Sequence, residues 1–243
     1  MIDIHLHILP YLDDGAETME DALIMAELAV ESGVKAVIAT PHANIRGVFH
    51  NYYDDRLKEA FEVFRIALKE RNIPIKLYEG MEVYGEGNVG ELIKKGRLIS
   101  LNSSRYILIE FPFGESPSYI NRKLKEVSTE GYVPIIAHPE RYACVHEDIS
   151  VVFDWINKGY FIQLNKGSIA GYFGRRCKKA AFTLLNEGIV SFIASDAHTP
   201  YRRNPCLDGV RSLLEEYYPL EYINDIFEIN PMRVIEDINI ELK

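Results

Sequence analysis

Histidines and acidic residues follow the apolar runs of this sequence in a regular rhythm. The first run, "DIHLHILP", places His5 and His7 two residues apart, and "LDDG" follows with Asp13 and Asp14. The remaining members end later apolar runs, and they are His42, Glu82, Glu110, His138, Asp196 and His198. A single histidine is more often a packed residue than a ligand. Three residue types repeated at successive strand ends indicate one shared site.

The chemistry of this set predicts metal ions. Several carboxylates buried together repel one another and lose hydration, and divalent cations offset both costs. Imidazole and carboxylate ligands without thiolate suit Mn, Fe, Co or Zn. About nine ligands exceed the roughly four to six that one ion takes, so two or three ions are expected. Clustered ions of this kind hydrolyse phosphate esters, because they supply hydroxide at neutral pH and stabilise charge on the attacking and leaving oxygens.

Arginines lie on the loops that leave two of these strands. "HPERY" places Arg141 three residues after His138, and "SDAHTPYRR" places Arg202 and Arg203 shortly after His198. A surface arginine is usually solvated, but a guanidinium beside a metal site is suited to binding phosphate bidentately. The sequence therefore predicts a phosphate clamp made by Arg141 and one arginine of the later pair.

The elements that must position these residues alternate between strand and helix. A capping pair, Thr18 and Asp21, predicts the start of a first long helix, and Gly33 predicts its end. The predicted strands lie in "IDIHLHI", "VKAVIATPH", "IKLYEGMEV", "RYILIEFPF", "VPIIAHPERY", "FIQLN" and "VSFIASDAH". This order predicts a parallel sheet covered by helices. A distorted seven-stranded parallel β/α barrel suits it better than an open doubly wound sheet, because polar residues end nearly every strand and barrel strand ends converge on one face.

The first strand is expected to alternate strictly. A period of two divides its residues between two faces. One face would carry Ile2, Ile4, Leu6 and Ile8, and the opposite face would carry Asp3, His5 and His7.

Composition limits the other possibilities. The chain of 243 residues has a formal net charge of -9, which argues against nonspecific binding to nucleic acid or acidic membranes. It contains no apolar run long enough to cross a membrane, and its N-terminal residues lack the pattern of a signal peptide. The three cysteines are widely spaced, so a disulfide framework is not expected. We expect a single cytoplasmic domain spanning residues 1–243.

The ordered motifs resemble one known group of enzymes. "DIHLH", "TPH", "GMEV", "IEFP", "AHPERY" and "ASDAH" together resemble the polymerase and histidinol phosphatase (PHP) superfamily. "ILPYLDDG" and "AHPERY" look most like its bacterial metal-dependent protein-tyrosine phosphatases of capsule and exopolysaccharide synthesis. The resemblance extends from residue 3 to about residue 205.

The resemblance implies a PHP-type distorted seven-stranded barrel with a trinuclear metal centre, for which manganese is the first expectation. It implies Arg141 and Arg203 as phosphate-binding residues, although Arg202 is adjacent. It favours Asp14 over Asp13 by family pattern alone. The implied ligands are His5, His7, Asp14, His42, Glu82, Glu110, His138, Asp196 and His198.

We predict from these observations a hydrolase that removes phosphate from phosphotyrosine on proteins, with attack by a metal-held hydroxide and no covalent intermediate. The family suggests as partner the tyrosine-rich tail of a bacterial tyrosine kinase. Two alternatives stay open, a small-metabolite phosphatase such as a histidinol phosphatase, and a non-catalytic metal-binding protein. The strand-end arginines speak against the second.

Two rival motifs are weaker. "GEGNVG" matches the dinucleotide-binding G-x-G-x-x-G, but the helix after it is too short and a flexible turn explains it. A cysteine phosphatase needs C-x5-R, and Cys206 to Arg211 is one residue short of that spacing.

Overall fold

Parallel strands form the centre of the molecule. The structure, a computed structural model, describes residues 1–241. Its strands are β1 (Ile2–Leu6), β2 (Ala36–Ala39), β3 (His42–Ala43), β4 (Lys76–Glu79), β5 (Glu82–Tyr84), β6 (Tyr106–Glu110), β7 (Val133–Ala137), β8 (Phe161–Asn165) and β9 (Phe192–Ala194). They form a three-stranded sheet in the order β1-β2-β4 and a six-stranded sheet in the order β3-β5-β6-β7-β8-β9. Every pairing within the two sheets is parallel.

Helices connect the strands. They are α1 (Met19–Glu31), α2 (Asp55–Glu70), α3 (Val89–Lys94), α4 (Pro117–Thr129), α5 (Ala143–Glu147), α6 (Ser150–Asn157), α7 (Lys166–Ala170), α8 (Arg175–Asn186), α9 (Asp208–Glu215), α10 (Leu220–Asn224) and α11 (Asn230–Ile235). Short 3-10 turns span Leu101–Ser103 and Pro139–Arg141, and a π-helical turn spans Asp225–Ile229. The predicted cap of α1 is confirmed, because the Thr18 side chain accepts a hydrogen bond from the Asp21 amide. The predicted α/β class, with parallel strands and covering helices, is confirmed.

Two of the predicted strands are interrupted. "VKAVIATPH" contains both β2 and β3, separated by Thr40 and Pro41, and "IKLYEGMEV" contains both β4 and β5. Pro41 has no amide hydrogen to donate to a ladder, which favours a break there. Gly80, at the second break, lies so close to Ile38 that an added Cβ would be 2.8 Å from its Cγ2. The breaks therefore shift the pairing from one sheet to the other midway along each strand.

A single bridge links the free edges of the sheets. Leu6, the last residue of β1, pairs in parallel with Ala197, which lies beyond the end of β9. The amide of Asp196 donates to the His5 carbonyl at 2.9 Å, and the amide of His7 donates to the Ala197 carbonyl at 2.8 Å. The first and last strands therefore lie side by side, although no continuous ladder joins them in the described part of the chain.

The strict alternation predicted for the first strand is wrong. The pairing of β1 with β2 shifts register between Asp3 and Leu6. Ile2 and Ile4 consequently pack in one apolar cluster, whereas Leu6 and Ile8 pack in another. The physical reason is a local irregularity in the ladder, which turns the strand partway along its length.

Two apolar clusters stabilise the layers. The larger one joins strand residues to helix residues, for example Val37 and Ile109 to Phe61 and Leu124. The smaller one draws mainly on strand residues of both sheets, and its members include Ile4, Ile38, Leu108, Ile135, Phe161 and Phe192. The predicted domain of residues 1–243 includes 242 and 243, which lie outside the described residues.

Candidate metal centre

The predicted ligands lie at one end of the strands. Four of them belong to strands, namely His5 in β1, His42 in β3, Glu82 in β5 and Glu110 in β6. The others follow a strand directly or lie on the next loop, and they are His7, Asp14, His138, Asp196 and His198. The carboxyl ends of parallel strands point the same way, so residues far apart in sequence converge there.

All nine residues meet in overlapping groups whose potential ligand atoms lie within 4.8 Å of one another. The groups are His7, Asp14, His42 and His198; His5, His7 and Asp196; His5, Glu82 and His138; and His42, Glu82 and Glu110. Because His5, His7, His42 and Glu82 each belong to two groups, the arrangement could hold more than one ion with shared ligands.

Glu82 lies at the centre of this cluster. Its Oε1 is 3.1 Å from His5 Nε2 and 3.0 Å from His138 Nε2. Its Oε2 is 3.3 Å from His7 Nε2 and 3.0 Å from His42 Nδ1. Four imidazoles thus surround one buried carboxylate.

The cluster fits divalent metal ions. Among the described residues, His5 Nε2, His7 Nε2, His42 Nδ1 and Glu82 Oε2 are buried side-chain atoms without a hydrogen-bond partner. Buried polar atoms of a folded protein are normally partnered. A donor set of imidazole nitrogens and carboxylate oxygens that face one another suits Mn, Fe, Co or Zn.

The two aspartates of "LDDG" occupy different positions relative to the cluster. Asp14 Oδ1 faces the cluster, 3.4 Å from His42 Nε2 and 3.5 Å from His198 Nε2. Asp13 instead lies behind it, with Oδ2 2.7 Å from His7 Nδ1 and accepting the His42 amide at 2.8 Å. Asp14 therefore has the geometry of a ligand and Asp13 that of a support.

Gln163 is a second support, one that the sequence motifs did not predict. Gln163 of β8 places Oε1 2.8 Å from His5 Nδ1, which directs the other ring nitrogen toward Glu82. A histidine that binds metal usually donates its second N–H to such a partner. The sequence does contain a signal for this role. Gln163 and Asn165 are the polar residues of the apolar strand "FIQLN", and they share one face of it. Asn165 donates from Nδ2 to the Asp196 carboxylate.

Electrostatics keep the Asp196 carboxylate ionised. Burial opposes ionisation of Asp196, but the histidines and Arg203 around it lower its pKa. Burial likewise disfavours a charged His7, yet the Asp13 carboxylate raises the pKa of His7 to about 9. Burial and the nearby charge of His7 lower the pKa of His198 to about 4. Ionised carboxylates and neutral imidazoles are the forms that bind metals, so a bound ion would displace the proton that Asp13 favours on His7.

Two members of the cluster have left-handed backbone conformations. The φ angle is 35° at His138 and 48° at Asp196. Non-glycine residues adopt such angles rarely, and they do so at sites where the surrounding structure holds them in place. Both residues immediately follow or closely follow strand ends, where the turn redirects the side chain into the cluster.

The predicted arginines border the cluster at Asp196. Arg203 Nη2 lies 2.6 Å from Asp196 Oδ2, and Arg141 Nη1 lies 3.3 Å from the same oxygen. The Arg141 guanidinium is sandwiched at 4.3 Å from the Phe113 ring centre and 4.4 Å from that of Phe173. These aromatic contacts, which the sequence did not indicate, hold Arg141 in place by cation–π attraction.

The rival motifs have structural roles elsewhere. "GEGNVG" forms the turn that leads into the short α3 and the first two residues of that helix, whose N-cap is Asn88. Gly87 there has φ +66°, and its carbonyl accepts a hydrogen bond from Lys123. The three cysteines are unpaired, and burial raises the pKa of each thiol. Among residues 1–241, no helix is both long and apolar enough to span a membrane.

Comparison with known proteins gives a consistent result. The tyrosine-protein phosphatase YwqE of Bacillus subtilis is 40% identical over 204 residues, 84% of this chain and 80% of that protein. The tyrosine-protein phosphatase CpsB of Streptococcus agalactiae serotype V is 30% identical over 242 residues, 98% of this chain and 99% of that protein. A solved structure also matches, with a TM-score of 0.93 and 36% identity over 100% of this chain and 97% of the other. It comes from a study of YwqE from Bacillus subtilis and CpsB from Streptococcus pneumoniae, which are described there as unique metal-dependent tyrosine phosphatases. Residues 1–236 match the family described as "Capsular polysaccharide synthesis, CpsB/CapC", and the chain belongs to that family.

Proposed function

We propose that this protein is a metal-dependent protein-tyrosine phosphatase that hydrolyses phosphotyrosine on protein substrates. The observation that carries the proposal is the convergence of nine imidazole and carboxylate residues on one site beside two arginines. Relatives of 40% and 30% identity named tyrosine-protein phosphatases support it.

The residues proposed as metal ligands are the nine of the cluster, with Asp14 rather than Asp13. These residues would hold two or three divalent ions, manganese first, which would supply a hydroxide nucleophile and neutralise charge on the phosphate oxygens. Gln163 and Asp13 hold the rings of His5 and His7 so that their free nitrogens face the cluster.

The arginines bind the phosphate in this proposal. The guanidinium groups of Arg141 and Arg203 already share the Asp196 carboxylate, so their remaining N–H groups can donate to phosphate oxygens. Charge on those oxygens grows as the bond to the leaving group breaks, and preorganised donors stabilise it. Phenolate is a fairly good leaving group, which reduces the need for a strong general acid.

The proposed scaffold is a single PHP-type domain whose two sheets act as one distorted seven-stranded parallel barrel. In it, β2 with β3 and β4 with β5 each count as one interrupted strand. Support comes from the bridge between Leu6 and Ala197, and from the apolar cluster that draws on strands of both sheets.

The family description supports a substrate in polysaccharide assembly. We propose the tyrosine-rich tail of a bacterial tyrosine kinase, which places the reaction in the cytoplasm, where ATP is available to such a kinase. A small-metabolite phosphatase is the alternative.

The test measures metal content and substrate preference on one preparation. Purified protein is analysed for bound metals, and then a phosphotyrosine peptide and histidinol phosphate are assayed side by side. We expect bound divalent metal and a higher kcat/KM for the peptide. A higher kcat/KM for histidinol phosphate would overturn the proposal in favour of the alternative.

A further inference from the structure

A cavity of about 520 Å³ adjoins the candidate metal centre on the side of Arg203. It lies between α7 and the loop that follows β9. We call it the side cavity, and its walls include Lys166, Tyr172, Phe173, Tyr201, Arg202 and Arg203. Its size is in the range of pockets that take small ligands or a large side chain.

The side chains of the adjacent residues Arg202 and Arg203 have different surroundings. The Arg203 guanidinium reaches Asp196 at 2.6 Å. Arg202 is exposed and lines the side cavity. Phe173 stands at the boundary, with the Arg203 guanidinium 5.9 Å from its ring centre and that of Arg141 at 4.4 Å. A phosphate clamped by Arg141 and Arg203 would therefore lie directly beside the side cavity.

The charge of the side cavity is opposite to that of the chain. Its lining includes Lys166, Arg202 and Arg203 and contains no aspartate or glutamate, whereas the chain has a net charge of -9. A cationic concavity on an acidic protein attracts anions locally. The Lys166 ammonium donates to Asn204 Oδ1 and to the Cys206 carbonyl, both at 2.8 Å, so it also fixes the loop that forms one wall.

Aromatic rings form the outer wall. Tyr172 and Tyr201 each have a relative exposure of 74%, which is high for large aromatic side chains. Exposed aromatic rings beside a binding site give contact area at a low entropy cost. The side cavity thus combines cationic groups with flat apolar surfaces.

We propose that the side cavity is a substrate subsite that accepts an anionic side chain lying near the phosphotyrosine in the polypeptide substrate. This inference rests on the proposed function and adds specificity to it. Arg202 contacts the anion, and Tyr172 and Tyr201 contact the flanking peptide. The anion can be a carboxylate or a second phosphorylated residue, and the two sources are separated by experiment.

The test compares substrates that differ only beside the phosphotyrosine. Three peptides carry glutamate, a second phosphotyrosine or alanine at the flanking positions, and p-nitrophenyl phosphate serves as a substrate without flanks. Arg202→Ala is expected to lower kcat/KM by about five- to tenfold for the two anionic peptides. Tyr172→Ala is expected to lower it by about threefold for every peptide. Neither change should alter turnover of p-nitrophenyl phosphate.

Matched controls lie away from the side cavity. Arg233→Ala removes an arginine that lines a different cavity, and Tyr217→Ala removes a tyrosine of 68% exposure on another surface. Neither should change peptide selectivity. An equal loss for the alanine-flanked peptide in Arg202→Ala, or no loss for any peptide, would overturn the subsite.

A binding measurement keeps the two proposals distinguishable. Fluorescence anisotropy with labelled peptides that carry a non-hydrolysable phosphotyrosine analogue reports the subsite even where hydrolysis is absent. Tighter binding of anionic flanks that is lost in Arg202→Ala supports the subsite. Turnover of p-nitrophenyl phosphate without any flank preference in binding would refute the subsite and leave the phosphatase proposal standing. Preference for the second phosphotyrosine over glutamate would identify phosphate as the anion, and equal preference would identify charge alone.

Discussion

Nδ1 of His7 lies 2.7 Å from Oδ2 of Asp13, and this contact turns the opposite ring nitrogen of His7 toward Glu82, 3.3 Å away. The same carboxylate accepts the amides of His42 and Gly15. Asp13 therefore positions two predicted ligands and the loop that carries Asp14, without itself belonging to any of the groups that could hold a metal.

Asp13→Ala is the first prediction. Removing this support leaves the His7 ring free to rotate, and loss of such a partner typically weakens metal binding by about 10- to 100-fold. The measurement is metal retention during titration with a competing chelator, together with circular dichroism to confirm folding. Asp21→Ala, which removes a partly buried carboxylate at the start of α1, is the control. Unchanged metal affinity in Asp13→Ala would show that His7 needs no such support.

The strand-end residues could be found from sequence because their spacing follows strand geometry. A polar residue within a strand is fixed in direction by the strand, so His42 and Glu110 are recognisable without a structure. Loop residues lack that constraint. The different placements of Asp13 and Asp14, and of Arg202 and Arg203, depend on loop torsions that no periodic pattern encodes.

Other features escaped because tertiary contacts determine them. Phe113 and Phe173 enclose Arg141 from two separate loops, and nothing local in either segment predicts that meeting. The register shift within β1 arises from pairing with β2, which overrides the alternation that β1 shows by itself.

Arg141→Ala should lower phosphatase activity while metal content stays constant. The Arg141 guanidinium lies 3.3 Å from Asp196 of the cluster, and its proposed role is to stabilise charge on the phosphate. Losing one preorganised donor of this kind costs about 100-fold or more in kcat. The measurements are kcat on p-nitrophenyl phosphate and metal content of the same sample. Arg71→Ala, which breaks ion pairs between Arg71 and residues of α1, is the matched control. Full turnover by Arg141→Ala would remove this residue from the proposed phosphate site.

Alkaline stability should depend on Tyr222. Burial raises the pKa of Tyr222 well above its ordinary value of 10.0, and its hydroxyl accepts the Val190 amide at 3.2 Å. The folded chain therefore keeps this proton at a pH where the unfolded chain releases it. The stabilising contribution is complete below pH 10.0 and is lost as the pH rises above it.

Tyr222→Phe tests this dependence. At pH 8 the variant should be less stable by about 1 kcal/mol, because the Val190 amide loses its acceptor. At about pH 11 the wild type alone should have lost about 1.4 kcal/mol of its unfolding free energy through Tyr222. The difference in stability between the wild type and the variant should therefore close. Urea unfolding at both pH values measures it. Other buried tyrosines, such as Tyr142, act equally in both proteins. A constant difference across this range would contradict the raised pKa of Tyr222.

Chelation and thiol alkylation should have opposite effects on activity. Burial raises the pKa of the thiols of Cys144, Cys177 and Cys206, so little thiolate is present near neutral pH to act as a nucleophile or to react with iodoacetamide. The cluster around Glu82, in contrast, unites imidazole and carboxylate groups that suit divalent ions. A chelator should abolish hydrolysis of p-nitrophenyl phosphate, and added Mn²⁺ should restore it. Iodoacetamide should leave the rate unchanged, as should Cys206→Ser, which replaces the least buried cysteine. Inactivation by alkylation together with resistance to chelation would exchange the metal mechanism for a cysteine one, because only a reactive thiolate accounts for that pair of results.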